Sequence, residues 1–384
     1  MSIVSSSDVK TAADEEGGSM SSVLAAVMPG HQAPIEVREI PEPRLEMNSA
    51  LLEVELSEVC GTDVHLRDGR LAGVPYPIIP GHVSVGRLSK IRGQLLDIEG
   101  REFEEGDRVT FLDVHRTCNA CWHCLVAKAT TRCPARKVYG ITYGLEDGLT
   151  GGWAEKIYIK PNTRCIRLDG VDFEKFMAGG CALPTALHAL ERAEVKIGDT
   201  VLVLGSGPVG LSAVIFALMQ GALRVLCIGA PEHRLSTARA VGASETLNIE
   251  SHSFRERYQW VLDHTGGRGS DVTIEAAGAP VAVAEAMRYT RDAGRVVIVG
   301  QYTDHGEASI NPHLDLNRKH LDVRGCWGSD FSHFYLGAQI MADAVRSKPW
   351  SKIKLSRYGL NQVNAALEDV ASGRVAKALI DPRP

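Results

Sequence analysis

The 384-residue chain has no apolar run long enough to span a bilayer. Its longest, Leu211 to Met219, is broken by Ser212 and falls far short of the ~20 residues a spanning helix needs. No secretory leader is expected either: the first twenty residues carry Asp8, Asp14, Glu15 and Glu16 and show neither a basic start nor an apolar middle. Positive charge is not in surplus, with 42 Lys and Arg against 47 Asp and Glu. Neither a nucleic acid nor an anionic membrane is therefore expected as the main partner. Without a leader, the nine cysteines read as metal ligands and free thiols rather than a disulfide framework. A soluble cytoplasmic protein is the expectation.

What is present is an ordinary globular composition, 44% hydrophobic and 23% charged, with 38 glycines spread through the chain. The length suits two domains. Residues 1–21 are Ser-rich, acidic and aperiodic and read as a disordered tail. From Ser22 to about Asp113, short alternating runs such as Leu51–Leu56 and Arg108–Phe111, punctuated by Gly and Pro, predict a β-rich unit. After Cys181 the pattern changes. A helix is expected over 185–194, then strands over 200–204, 224–228, 272–276 and 295–299, alternating with helices ending at Gln220, Val241 and Tyr289. Fully apolar short strands separated by helices predict a parallel sheet covered on both faces, an α/β unit.

Two motifs carry chemistry on their own. Cys118-x2-Cys121-x2-Cys124-x8-Cys133 offers four thiolates within sixteen residues, the number and spacing a tetrahedral zinc ion takes from one loop. With all four positions filled by sulfur, such an ion holds a lobe together and does no chemistry. Gly205-Ser-Gly207-Pro208-Val209-Gly210 matches G-x-G-x-x-G between a strand and a helix, the setting that a dinucleotide-binding turn requires. The helix start would offer unpaired N–H groups to phosphate, and Pro208 suits its first turn. The place after the second strand where an acid normally meets the adenosine ribose is held by Gly229, with Arg234 further on as a contact for adenine or phosphate. NAD and NADP both remain open.

Three further segments complete a pattern: Cys60-Gly-Thr62-Asp63-Val-His65, Gly81-His82, and Cys181 just ahead of the dinucleotide unit. In this order, with the cysteine loop and the glycine turn, they resemble the zinc-dependent alcohol dehydrogenases of the medium-chain dehydrogenase/reductase superfamily, from about Ser22 to Pro384. The resemblance implies a GroES-like β-rich catalytic domain, 22–183 plus 318–384, with a Rossmann NAD(P)-binding domain, 184–317, inserted in it. It implies two zinc ions, one structural and one catalytic, the latter held by Cys60, His82 and Cys181 with the fourth position open for substrate. By the same resemblance Asp63 orients the ligand histidine, Thr62 passes on the alcohol proton and His65 ends the relay. Thr185 would contact the nicotinamide ribose region and Lys377 would lie near the pyrophosphate. The substrate would be a small alcohol, aldehyde or ketone, and the assembly a homodimer or homotetramer.

One departure stands out. The family usually has Glu after the zinc histidine, and this chain has Val83, which leaves ligand exchange at the metal without its usual carboxylate. Two other functions share these residues: a biosynthetic reductase of a specialised carbonyl or conjugated substrate, and a non-catalytic zinc- and dinucleotide-binding module. Cys165, Cys227 and Cys326 read as core thiols, and Trp122, Trp153 and Trp327 as packing residues. The substrate pocket is expected to take walls from 115–117 and 329–333.

Overall fold

The computed structural model describes residues 21–383. The predicted tail lies outside them except for Ser21, whose carbonyl accepts a hydrogen bond from Glu42. The alternating runs of the first half become strands β1 (Ser22–Val27), β2 (Glu36–Pro41), β3 (Ser49–Val59), β4 (Ser84–Arg92) and β5 (Arg108–Phe111). Shorter strands follow: β6 (Val114–Arg116), β7 (Lys137–Val138), β8 (Lys156–Ile159) and β9 (Cys165–Arg167). Three helices sit among or just after them, α1 (Gly61–Arg67), α2 (Trp122–Leu125) and α3 (Phe173–Gly179). In β3 the period-2 rule buries Leu52, Val54, Leu56 and Glu58 on one face. The last of these is a carboxylate where the pattern otherwise places aliphatic side chains.

The second half alternates strictly. After α4 (Ala182–Ala193) come β10 (Thr200–Leu204), α5 (Pro208–Met219), β11 (Arg224–Gly229), α6 (Glu232–Ala240) and β12 (Glu245–Asn248). Then come α7 (Phe254–His264), β13 (Ser270–Glu275), α8 (Pro280–Tyr289), β14 (Thr290–Ile298) and β15 (Asp322–Gly325). The six strands form one parallel sheet in the order β12-β11-β10-β13-β14-β15. Strand order reverses between β10 and β13, and the crevice beyond their carboxyl ends is where such sheets take ligands.

Two expected boundaries move. The helix predicted from Thr185 begins at Ala182, since Pro184 falls in its first turn, where a missing N–H breaks no bond. The dinucleotide unit, expected to end at 317, keeps adding strand: β15 pairs with β14 and forms the sheet's last edge. Its sequence, Asp-Val-Arg-Gly, is too short and polar to read as strand, and it is tied in by ion pairs from Arg295 to Asp322 and from Arg324 to Glu194.

The chain then returns through α9 (Phe331–Ala342), β16 (Leu355–Tyr358), α10 (Val363–Ala371) and β17 (Lys377–Ile380). β17 pairs antiparallel with β3, completing a sheet ordered β16-β17-β3-β4-β5-β9 with β8 also on β3. No helix among the described residues is long and apolar enough to cross a membrane.

Candidate metal and dinucleotide site

Three separate segments bring Cys60, His82 and Cys181 together. Cys60 follows β3 and caps α1: its Sγ accepts the Thr62 N–H at 3.3 Å, and its own N–H donates to Asp63 Oδ2 at 2.8 Å. His82 follows Gly81, whose φ of +90° turns the chain into β4. Cys181 is the N-cap residue of α4. One donor atom from each lies within 4.8 Å of the others, and Cys60 Sγ is 3.9 Å from His82 Nε2. Sulfur and nitrogen ligands around a tetrahedral zinc stand about 3.6–3.8 Å apart, so the donor set fits that ion with one corner free. A hydrogen bond from Cys181 and then the His82 charge hold the Cys60 thiol well below its usual range, against burial. Burial opposes a charged His82, but the Cys60 charge raises it to about 10. Protons held by such a cluster are what a divalent cation displaces.

Behind the trio lies a buried ion pair that the sequence reading passed over. Glu58 Oε2 accepts the Cys181 N–H at 2.7 Å and its Oε1 lies 3.1 Å from Cys181 Sγ. Lys377 Nζ pairs with Glu58 and donates to the Gly179 carbonyl at 3.3 Å, and both side chains are 1% exposed. Trp153, fully buried, donates its indole N–H to the Glu58 carbonyl at 2.9 Å. This overturns the placement of Lys377 near a pyrophosphate: β17 directs it into the protein, where only a carboxylate makes a buried ammonium tolerable. Glu58 thus supplies a carboxylate beside the sulfur ligands, reached from β3, while Val83 packs in the core.

Asp63 and His82 do not bond as expected. Asp63 Oδ2 serves the Cys60 N–H, while Asp63 Oδ1 and His82 Nδ1 are both buried without a partner. Burial and then the Cys60 charge push the Asp63 carboxyl well up.

A cavity of about 210 Å³ opens over the trio, and Thr62, His65 and Thr185 line it together with Tyr302, Trp327 and Cys326. Thr185 Oγ1 donates to the Cys181 carbonyl at 2.8 Å. His65 is lowered by burial first and then by the charges of His305 and Arg70. Its Nδ1 is 3.4 Å from Thr303 Oγ1, which is 3.1 Å from Nε2 of exposed His305. The Tyr302 ring stacks on Trp327 at 5.6 Å, and burial pushes its phenol up to about 12. Tyr302, Thr303 and His305 were not found from sequence because they lie in a Gly-flanked loop with no motif of its own. Trp327 therefore lines the cavity, and Trp122, expected to pack, is 63% exposed.

The cavity floor runs into the glycine turn through Val209 and the ends of β13 and β14. Gly205 has φ +108°, and a Cβ there would meet the Ala276 carbonyl at 2.7 Å. A Cβ on Gly210 would strike the Gly205 carbonyl at 1.9 Å, whereas one on Gly207 would meet nothing within 4 Å. Pro208 opens α5, whose N-cap Gly207 offers no side chain, so the first N–H groups point outward uncapped. Gly229 ends β11 against Ser206, where a Cβ would come within 2.6 Å of its Oγ; no acid side chain fits there. Arg234 is placed otherwise than expected. Its Nη2 donates to the Val375 carbonyl at 3.0 Å, tying α6 to the segment before β17.

The four-cysteine loop closes on itself. Cys121 and Cys124 sulfurs are 3.6 Å apart, as are those of Cys118 and Cys133. The N–H groups of Cys118 and Cys121 point at sulfurs, each at 3.3 Å. All four sulfurs lie within 4.8 Å of one another, a closed tetrahedral cage for zinc. Cys165, Cys227 and Cys326 are buried, each pushed up to about 12, largely by that burial.

Comparison with known proteins shows the family. The alcohol dehydrogenase GroES-like domain family matches residues 46–170 and the zinc-binding dehydrogenase family residues 208–343. The chain is 33% identical over 360 residues to 5-exo-hydroxycamphor dehydrogenase of Pseudomonas putida, covering 93% of this chain and 98% of that protein. A solved alcohol dehydrogenase from Thermotoga maritima superposes with a TM-score of 0.88 at 32% identity, over 94% of this chain and all of the other. A zinc-binding dehydrogenase from Sinorhizobium meliloti, solved with NADP, gives 0.79 at 25% identity over the same shares.

Proposed function

Since this chain belongs to the zinc-type alcohol dehydrogenases of the medium-chain family, with zinc and NAD(P) as cofactors, we propose that it oxidises an alcohol, or reduces the matching carbonyl, in the cavity above Cys60, His82 and Cys181. The observation that carries this reading is the convergence of those three donors, from β3, the turn before β4 and the start of α4, within 4.8 Å of one another beside the glycine turn.

Cys60, His82 and Cys181 would hold the catalytic zinc, which supplies Lewis acidity at the substrate oxygen and so lowers the alcohol's pKa. Glu58 and Lys377 fix Cys181 from behind, and Asp63 fixes the start of α1 and so Cys60. The uncapped start of α5 and the open face of Gly207 seat the pyrophosphate, with Thr185 near the nicotinamide end, where the bound dinucleotide supplies the hydride acceptor. Thr62 takes the hydroxyl proton, and His65, Thr303 and His305 carry it to solvent. Tyr302 and Trp327 exclude water from the face where hydride leaves carbon. Cytoplasmic location and assembly as a homodimer or homotetramer, through the outer edge of β15, belong to the same proposal.

The test is a zinc assay with reduction of NAD and of NADP followed over a panel of alcohols. About two zinc ions per chain are expected. Cys60→Ala should abolish turnover while cofactor still binds; an unchanged rate in that variant would remove the mechanism.

A further inference from the structure

A second, larger cavity adjoins the one over the trio. It is a cleft of about 920 Å³ that shares Arg136 and Ser329 with the catalytic cavity and so continues it outward. Both loops expected to wall the substrate pocket reach it, through 115–117 and 329–332, and the four-cysteine lobe adds Asn119, Thr130 and Thr131.

Its lining is cationic in a chain that carries net negative charge. Arg116, Arg136, Lys160 and Arg164 face it, with Glu46 and Asp330 as its acids. Both acids are engaged elsewhere. Glu46 Oε1 accepts the Tyr158 hydroxyl at 2.8 Å, and Asp330 caps α9 and pairs with His333 at 3.1 Å. Among the described residues none of the four cations has a carboxylate partner, whereas neighbouring Arg167 is paired to both Asp97 and Asp107. Lys160 Nζ rests over the rings of Tyr143 and Tyr158, at 5.3 and 5.0 Å. Arg136 stands at the junction of the two cavities, its guanidinium 5.7 Å from the Trp327 ring and its Nε buried with no partner. Guanidinium forks left unpaired in a cleft are suited to a planar or tetrahedral oxyanion. The volume is at the upper end of what ligand clefts offer and exceeds the needs of a small alcohol.

We propose that the natural substrate is an alcohol or ketone whose far end carries an oxyanion, a carboxylate or a phosphate ester. Arg136 receives that group as the reacting carbon enters the catalytic cavity, with Arg116, Lys160 and Arg164 drawing it in along the cleft. This rests on the alcohol dehydrogenase reading for the reacting end; the anion site itself is read by binding.

Benzyl alcohol, 4-(hydroxymethyl)benzoate and 4-(hydroxymethyl)phenyl phosphate share a reacting end and separate the two anion sources from the neutral case. Calorimetric titration into the zinc-loaded full chain with reduced cofactor bound, so that no alcohol is oxidised during the titration, should show one or both anions binding about tenfold or more tighter than benzyl alcohol, the scale of one charge-assisted contact. That margin should fall towards one in Arg136→Gln and in Arg116→Gln/Arg164→Gln, and shrink as salt rises. Taking the ratio within each variant cancels any general loss of folded protein. The anion that binds tighter names the substrate class. Equal binding of all three compounds, or a margin unmoved by both variants, would overturn the proposal. If the anions bind as expected but none of the three is turned over, the anion site stands and the alcohol dehydrogenase reading fails.

Discussion

At the scale of single residues, the site depends on groups that no motif announces. Glu58 and Lys377 are nearly sealed from solvent, and removing one leaves the other as an uncompensated buried charge. Glu58→Gln is expected to destabilise the protein by about 3–5 kcal/mol, while Glu58→Gln/Lys377→Met recovers most of that, because both charges then leave together. Urea unfolding of the zinc-loaded variants reads the pattern; two additive losses would show that the pair is not coupled. His65 gives a pH prediction. Burial and neighbouring positive charge lower it from its ordinary 6.5, so the imidazole stays neutral and able to accept a proton down to lower pH. The acid limb of kcat/KM for alcohol oxidation should therefore fall below about pH 6.5. It should vanish in His65→Gln together with about a tenfold or greater loss of rate. Much of this site was legible in the sequence. Cys60, His82 and Cys181 were recognisable as a set through the family resemblance, and the alternation Leu52, Val54, Leu56 was a signal, not used, that could have placed Glu58 on the buried face. What could not be read was direction: nothing in the spacing says that Lys377 points inward to Glu58 or that Arg234 is committed to Val375.

At the scale of elements, the glycine turn shows how one loop separates folding from binding. Gly207 has an ordinary φ of −75° and empty space where a Cβ would stand. Gly207→Ala should thus leave stability within about 0.5 kcal/mol of the parent while filling the approach that the pyrophosphate needs. Gly210→Ala meets backbone at 1.9 Å and must push α5 from β10, losing stability and cofactor affinity together. Thermal melts beside cofactor titration distinguish the two, and a Gly207→Ala protein that binds NAD(P) normally would show that the turn does not seat the phosphates. Strands that are apolar after their first residue, such as β10, could be read from sequence to the residue. β12 and β15 could not, because edge strands carry polar side chains and look like loop. Helix α7 was also passed over, although Ser253 and Glu256 form a reciprocal capping box whose S-x-x-E spacing was visible in the chain.

At the scale of the whole molecule, the dinucleotide sheet and the four-cysteine lobe fold on different terms. The dinucleotide sheet, β10 through β15, is packed with apolar side chains on both faces, and one of those cores runs on to Leu56 and Val85 of the first β unit. The four-cysteine lobe has little apolar interior: Trp122, Leu125 and Val126 are exposed, and Cys124 and Cys133 are its buried side chains. Such a lobe owes its shape to metal rather than to packing, and it forms one wall of the cationic cleft. Replacing Cys121 and Cys124 with Ser should therefore remove about one zinc per chain and lower the melting temperature, since binding energy for that ion is folding energy. Cofactor affinity should stay within about twofold, because the glycine turn shares no partner with the lobe. Affinity for the anionic benzyl alcohols should fall more than affinity for benzyl alcohol itself, because only the outer cleft loses a wall. Zinc content, melting temperature and the three titrations, taken on one preparation, check all of this at once. A variant that lost the ion yet kept its full preference for the anions would detach the lobe from substrate recognition and leave it a purely structural appendage.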